Sequence, residues 1–147
     1  MRHSRKASLF LVAMLLVVGC GPAEPTIGPD LNLPDPGAVW FGTAVDSSSM
    51  TMGTHASSFS AKTAFGWMAL FSSFPNATTI TLTIEAAGTG GSEVTVLTMP
   101  VAWPNSLEQQ LAHDPDTSVA AYGPGTYTVR YTTGTIVLAT GTVTVTP

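Results

Sequence analysis

The chain has 147 residues, 44% of them hydrophobic and 10% charged, and its one cysteine, Cys20, excludes an intrachain disulfide and a thiolate metal site. Three of its five basic residues (Arg2, Arg5 and Lys6) stand at the start, so from Cys20 onward Lys62 and Arg130 face nine acids, a formal charge of −7. Without clustered Lys and Arg, that stretch is not built to neutralise phosphates, which excludes nucleic acid as a partner and an electrostatic hold on anionic lipid.

Arg2, His3, Arg5 and Lys6 make a basic start, and Ala7 to Val18 follows as an apolar run interrupted only by Ser8. A basic start, a short apolar core and small residues before a cut are the marks of a secretory signal. Crossing the hydrocarbon layer takes about 20 apolar residues, more than this run supplies. A buried core helix is the competing reading, but a charged start and a Gly-Cys-Gly-Pro end do not suit one. Val17-Val18-Gly19-Cys20 resembles the lipobox of bacterial lipoproteins, in which small or β-branched residues lead into a cysteine. The resemblance covers Met1 to Cys20 and implies a signal peptide over 1–19, a cut after Gly19 and a diacylglyceryl group on the Cys20 thiol. It implies a lipoprotein of the cell envelope, anchored in the cell membrane or outer membrane with its domain outside the cytoplasm. One acyl chain anchors only marginally, whereas two or more hold firmly, each buried CH₂ contributing about 0.8 kcal/mol. Gly21 is not the aspartate that marks inner-membrane retention in some Gram-negative lipoproteins, which leaves outer-membrane sorting open.

Residues 20–37 carry Pro22, Pro25, Pro29, Pro34 and Pro36, with Glu24, Asp30 and Asp35 between them. Proline removes amide donors and favours extended backbone, so this segment reads as a semi-rigid tether of about 3.1 Å per residue. No basic residue flanks a P-x-x-P here, so an SH3-type ligand is not indicated.

From Ala38 the pattern turns to β: Thr and Val dominate, Gly and Pro punctuate, and no helical period is sustained. Ala38 to Asp46 reads as a first strand, Ser47 to Ala61 as a loop or weak edge strand, and Lys62 to Phe71 as a central strand apolar on both faces. Between Thr79 and Glu85, Ile80, Leu82 and Ile84 alternate with polar residues, one face buried and one wet. Gly88 to Gly91 makes a turn, Glu93 to Met99 returns, and Pro100 and Pro104 are expected to end that strand. Asn105 to His113 is expected to be a short helix, with Ser106 and Gln109 as a capping box and Leu107 and Leu111 one turn apart. Thr126 to Tyr131 and Thr135 to Thr146 form a hairpin around Thr132 to Gly134. In the second arm Ile136 and Leu138 hold even positions but Val143 and Val145 odd ones, which requires an inserted residue; a β-bulge is expected near Thr140-Gly141.

Short strands at regular spacing in residues 38–147 predict an all-β fold, an antiparallel β-sandwich of about 6–8 strands preceded by a signal helix and a proline-rich linker. Gly125-Thr126-Tyr127-Thr128-Val129 resembles the start of the penultimate strand in immunoglobulin-like domains, where the tyrosine hydroxyl bonds back to the preceding turn. By that resemblance Val129 takes the place of the second cysteine of antibody domains, and Trp67 is a core tryptophan on an earlier strand than theirs. The resemblance implies a fold and no activity.

Candidate chemistry is sparse. The serines at 47–49, 57, 58, 72 and 73, with His55, His113, Asp46 and Asp114, contain the residue types of a hydrolase triad, but no G-x-S-x-G positions a nucleophile. His113-Asp114-Pro115-Asp116 is the densest polar cluster, readable as a Ca²⁺ loop or, since EF-hand spacing is absent, as a solvated turn. Glu85 and Glu93 flank the predicted turn and are expected to face water rather than form a glycosidase pair. Asn76-Ala77-Thr78 is a formal glycosylation sequon that a bacterial lipoprotein leaves bare. No catalytic residue, metal or cofactor is therefore expected. The expected function is a non-catalytic module that binds an envelope protein; the alternative is a carbohydrate or small-ligand domain using Trp103 or Trp40 as a flat apolar platform.

Overall fold

A computed structural model describes residues 33–88, 90–104 and 108–147. The signal, Cys20 and most of the proline-rich segment lie outside the described residues. Ten strands follow in order: β1 (Ala38–Gly42), β2 (Val45–Asp46), β3 (Thr51–Met52), β4 (Ser58–Ser60), β5 (Phe65–Leu70), β6 (Thr79–Ala87), β7 (Glu93–Ala102), β8 (Gln110–Asp116), β9 (Gly125–Thr133) and β10 (Ile136–Thr146). A single 3₁₀ turn, Ala120–Tyr122, precedes β9.

Hydrogen bonding runs in the order β7-β6-β9-β10-β1-β5-β8, with β4 added to β10 and with β2 and β3 as a separate ribbon. The sheet does not lie flat. Neighbouring strands are spaced by about 4.8 Å, so β5 and β9, with two strands between them, would be far apart in an open sheet. Yet Trp67 on β5 donates from Nε1 to the Tyr131 hydroxyl on β9 at 2.9 Å. The sheet therefore folds over at the β10–β1 junction, where the only ladder pair is Ala38 with Thr140. One layer is β1-β5-β8 and the other β7-β6-β9-β10 with β4. In chain order these are the A-B-E and C′-C-F-G pairings of the immunoglobulin-like sandwich.

Alternation explains which residues fill it. Ile80, Leu82 and Ile84 of β6 and Tyr127, Val129 and Tyr131 of β9 all point inward and are buried. β5 is buried on both faces for a second reason. Trp67 and Phe65 enter the main core, while Met68 faces outward and is covered by Val45 and Met52 of the β2–β3 ribbon, with Leu33, Trp40 and Ala112 around them.

The structure corrects four local expectations. The segment expected to be helical is strand from Gln110: Leu111 pairs with Ala69 and His113 with Trp67, while Asn105 to Leu107 lie outside the described residues. One capping box and one i, i+4 pair contribute only tenths of a kcal/mol to about 2 kcal/mol, less than completing the open edge of β5. Pro100 does not end β7; it stands opposite Thr81 on the sheet's edge, where a missing N–H costs no ladder bond. The first strand breaks after Gly42 and resumes as β2. The bulge in β10 exists but falls between Val137 and Ala139, so Leu138 is the inserted residue. Gly141 has another use: a Cβ there would overlap the backbone of Val39.

Candidate functional site

The two tryptophans expected as ligand platforms have different fates. Trp103 is 6% exposed and packs against Phe71 with ring centroids 5.1 Å apart, its amide donating to the Thr78 carbonyl at 2.8 Å. It closes the core at the end of β7 and offers no face to a ligand. Its position beside Pro104 suggested a strand end, but strand ends can fold inward over an open sandwich. Trp40 is half-buried, stacked on His55 at 4.3 Å, and the pair borders a groove of about 190 Å³ with Val39, Phe41 and Thr142.

The His113–Asp116 stretch is the end of strand β8 rather than a loop. Asp114 accepts hydrogen bonds from the amide and hydroxyl of Ser47, both at 2.7 Å, across 67 residues of chain. Asp46 accepts from the Ser48 amide and hydroxyl at 2.8 and 2.6 Å and from the Ser49 amide at 3.3 Å. His113 Nε2 lies 2.9 Å from Asp116, which also takes the Ser118 amide and hydroxyl. These bonds fasten the β2–β3 ribbon and the turn after β8. Among the described residues no group of three or more His, Cys, Asp and Glu is placed to hold a metal.

The electrostatic signature of this network is acid sensitivity. The Ser48 hydroxyl, then Ser49 and the amides, lower the Asp46 carboxyl to about 2. The Ser47 hydroxyl and amide lower Asp114. Burial raises Asp116, but the Ser118 hydroxyl and amide together with His113 outweigh it. A depressed folded-state carboxyl adds stability that is complete above the unfolded value near 3.8 and is lost as pH falls through the folded one. Thermal melting should therefore hold level down to about pH 4 and drop between about pH 4 and 2. Ser47→Ala and Ser48→Ala should each flatten that drop, which calorimetry across the acid range reads directly.

The remaining polar groups are committed elsewhere. Arg130 Nη1 lies 3.0 Å from Glu85 and Nη2 3.7 Å from Glu93, so the two carboxylates bracket one guanidinium on the outer face of β6 and β9. Ser49 bonds Thr51, Ser47 and Ser48 bond aspartates, and His113 is on Asp116. Ser47 meets Asp114 and Ser48 meets Asp46, but among the described residues no hydrogen bond joins one of these serines to His55 or His113. The tyrosine corner is present: Tyr127 donates its hydroxyl to the Gly123 carbonyl at 2.7 Å.

One surface stands apart from these networks. Leu70 at the end of β5 pairs with Ala38 at the start of β1 and Gln110 at the start of β8, and Thr79 at the start of β6 pairs with Ala102 at the end of β7. The β5–β6 connection, the end of β7, the start of β8 and the β9–β10 hairpin tip therefore share one end of the sandwich. Sequence reasoning missed this gathering, because Phe74, Ile136 and Val137 lie far apart in the chain. Each is apolar and about half exposed, at 48, 57 and 46%.

No protein-family model matches the chain, and no curated protein matches it significantly. Among solved structures, an immunoglobulin-like protein of Pseudomonas aeruginosa is similar, with 17% sequence identity and a TM-score of 0.47 over 78% of this chain and 95% of that one.

Proposed function

We propose that this protein is a lipid-anchored module of the cell envelope. Residues 1–19 are its signal, Cys20 is its acylated N-terminus, 20–37 its tether and 38–147 the domain presented to an envelope protein. The observation that carries this reading is Val17-Val18-Gly19-Cys20 at the end of a basic-then-apolar segment, in a chain with no other cysteine. A binding role is supported over catalysis by the use of Ser47, Ser48, His113 and the aspartates at 46, 114 and 116 in fastening the β2–β3 ribbon and the turn after β8. Metabolic labelling with radioactive palmitate should mark the wild type and not Cys20→Ala, which should also leave the membrane fraction. Equal labelling of both forms would rule the anchor out. A crosslinking pull-down with the acylated protein, against Cys20→Ala, should then recover a partner that needs the anchored form.

The carbohydrate reading rests now on Trp40 alone, beside its groove with His55. A glycan-dependent shift in tryptophan fluorescence that disappears in Trp40→Ala decides for it.

A further inference from the structure

We infer that the apolar loop end of the sandwich rests on a zwitterionic lipid surface, so that the domain lies against the bilayer instead of standing off it. The inference depends on the anchored reading above. Its first support is clustering. Phe74, Ile136 and Val137 are all at this end, and the Ser72 amide donates to the Leu138 carbonyl at 2.8 Å, holding the β5–β6 connection against the hairpin. A rigid sandwich end that presents half-exposed Ile, Val and Phe leaves apolar area that water solvates poorly.

Chain geometry says what covers it. Gly37 donates to Leu70 and accepts from Thr140 at this same end, and Leu33 packs on the cluster around Met68, two positions from the end of β5. The segment that leads back to Cys20 therefore touches the loop end at Gly37 and packs at mid-domain at Leu33. Twelve residues, 21–32, separate Cys20 from Leu33. At about 3.1 Å each they reach no further than about 40 Å, and a tether of that length keeps the loop end at a millimolar-scale effective concentration near its own membrane. A weak apolar contact suffices under those conditions.

Charge selects the kind of lipid. Among the described residues this end carries Asp35 and Glu108 but no Lys or Arg: Lys62 lies between β4 and β5 at the opposite end, and Arg130 is engaged by Glu85 and Glu93. An acidic rim around an apolar tip is repelled by anionic headgroups and tolerated by zwitterionic ones.

The test uses the acylated protein as cells make it, reconstituted into phosphatidylcholine vesicles containing lipid brominated near the headgroup. Val137→Trp places a reporter at the loop end, and Tyr122→Trp places one at the opposite end, both at half-exposed positions. After subtraction of the native tryptophans, bromine should quench position 137 several-fold more than position 122. Replacing phosphatidylcholine with phosphatidylglycerol should weaken the difference. Equal quenching at the two positions, or none at 137, overturns the inference while leaving the anchor intact. Shielding of position 137 in native envelopes but not in pure lipid means a protein occupant, and also overturns it. The mass of the N-terminal peptide from the same preparation reports acylation of Cys20 separately.

Discussion

Trp67→Ala should remove a large part of the stability of the sandwich. Trp67 is 1% exposed and contacts Phe41 and His113 at ring-centroid distances of 6.3 and 4.0 Å. Truncating a buried tryptophan costs about 3–5 kcal/mol, against a total of about 5–15 kcal/mol for a domain. The loss is compounded by the Tyr131 hydroxyl, which accepts the indole N–H and is otherwise closed off from solvent. Burial, against the opposing pull of Trp67, raises that hydroxyl to about 12, so it stays neutral through the ordinary pH range. Tyr131→Phe isolates the bond: it leaves the indole N–H buried without a partner and should cost about 1–3 kcal/mol. The double variant Trp67→Phe/Tyr131→Phe removes donor and acceptor together and should cost less than its two single changes summed, by about 1 kcal/mol. Urea midpoints of the four proteins at unchanged slope give the cycle. Strict additivity would mean that the two layers are joined by packing alone and that this bond is incidental.

Gly66→Ala is the smallest change with a large expected effect. Gly66 faces the bulge of β8, where the ladder passes from the Phe65–Asp116 pair to the Trp67–His113 pair. A Cβ at 66 would lie 2.9 Å from Asp114 C and Pro115 N and closer still to the His113 carbonyl oxygen. Those are backbone atoms in a ladder, so they cannot swing aside as the end of a flexible side chain can. Overpacking of this kind costs about 1–3 kcal/mol, and more where backbone must move. At about 4–8 °C per kcal/mol for a domain of this size, a melting drop of about 10 °C or more is expected. Pushing β8 outward also separates Asp114 from Ser47, so the acid transition should broaden in the same variant. Gly90→Ala is the control: its φ of +83° disfavours a side chain, but nothing lies within 4 Å. It should cost only about 1 kcal/mol. If the two substitutions prove equal, crowding at the bulge is not what selects glycine at 66.

What could be read along the chain followed from how clearly each strand divides its two faces. Ile80, Leu82 and Ile84 alternate without exception, and the structure buries all three. Tyr127 stood in a motif whose hydrogen bond is local, four residues back to Gly123, so a short stretch carried the whole interaction. β8 was illegible for the opposite reason. Gln110–Asp116 lacks β-branched residues and contains Pro115, and its extended state is imposed by the edge of β5 that it completes. The burial of Trp103 is not legible along the chain because it depends on Phe71, which comes from another strand end.

Composition and pattern along the chain carry one cysteine after a basic and apolar start, a strongly acidic stretch from Cys20 onward, and an all-β chain whose alternating residues choose the core. Packing of the strands into two layers is what folds the sheet over between β10 and β1, brings Ser47 to Asp114 across 67 residues, and makes Leu138 the bulged residue. It alone gathered Phe74, Ile136 and Val137 at one end. The reason is physical. Alternation along a strand records which of its own faces is wet, a property of neighbouring residues. Ladder partners, close backbone approaches and shared surfaces depend on segments far apart in the chain, and their energies arise only once the two layers are in contact.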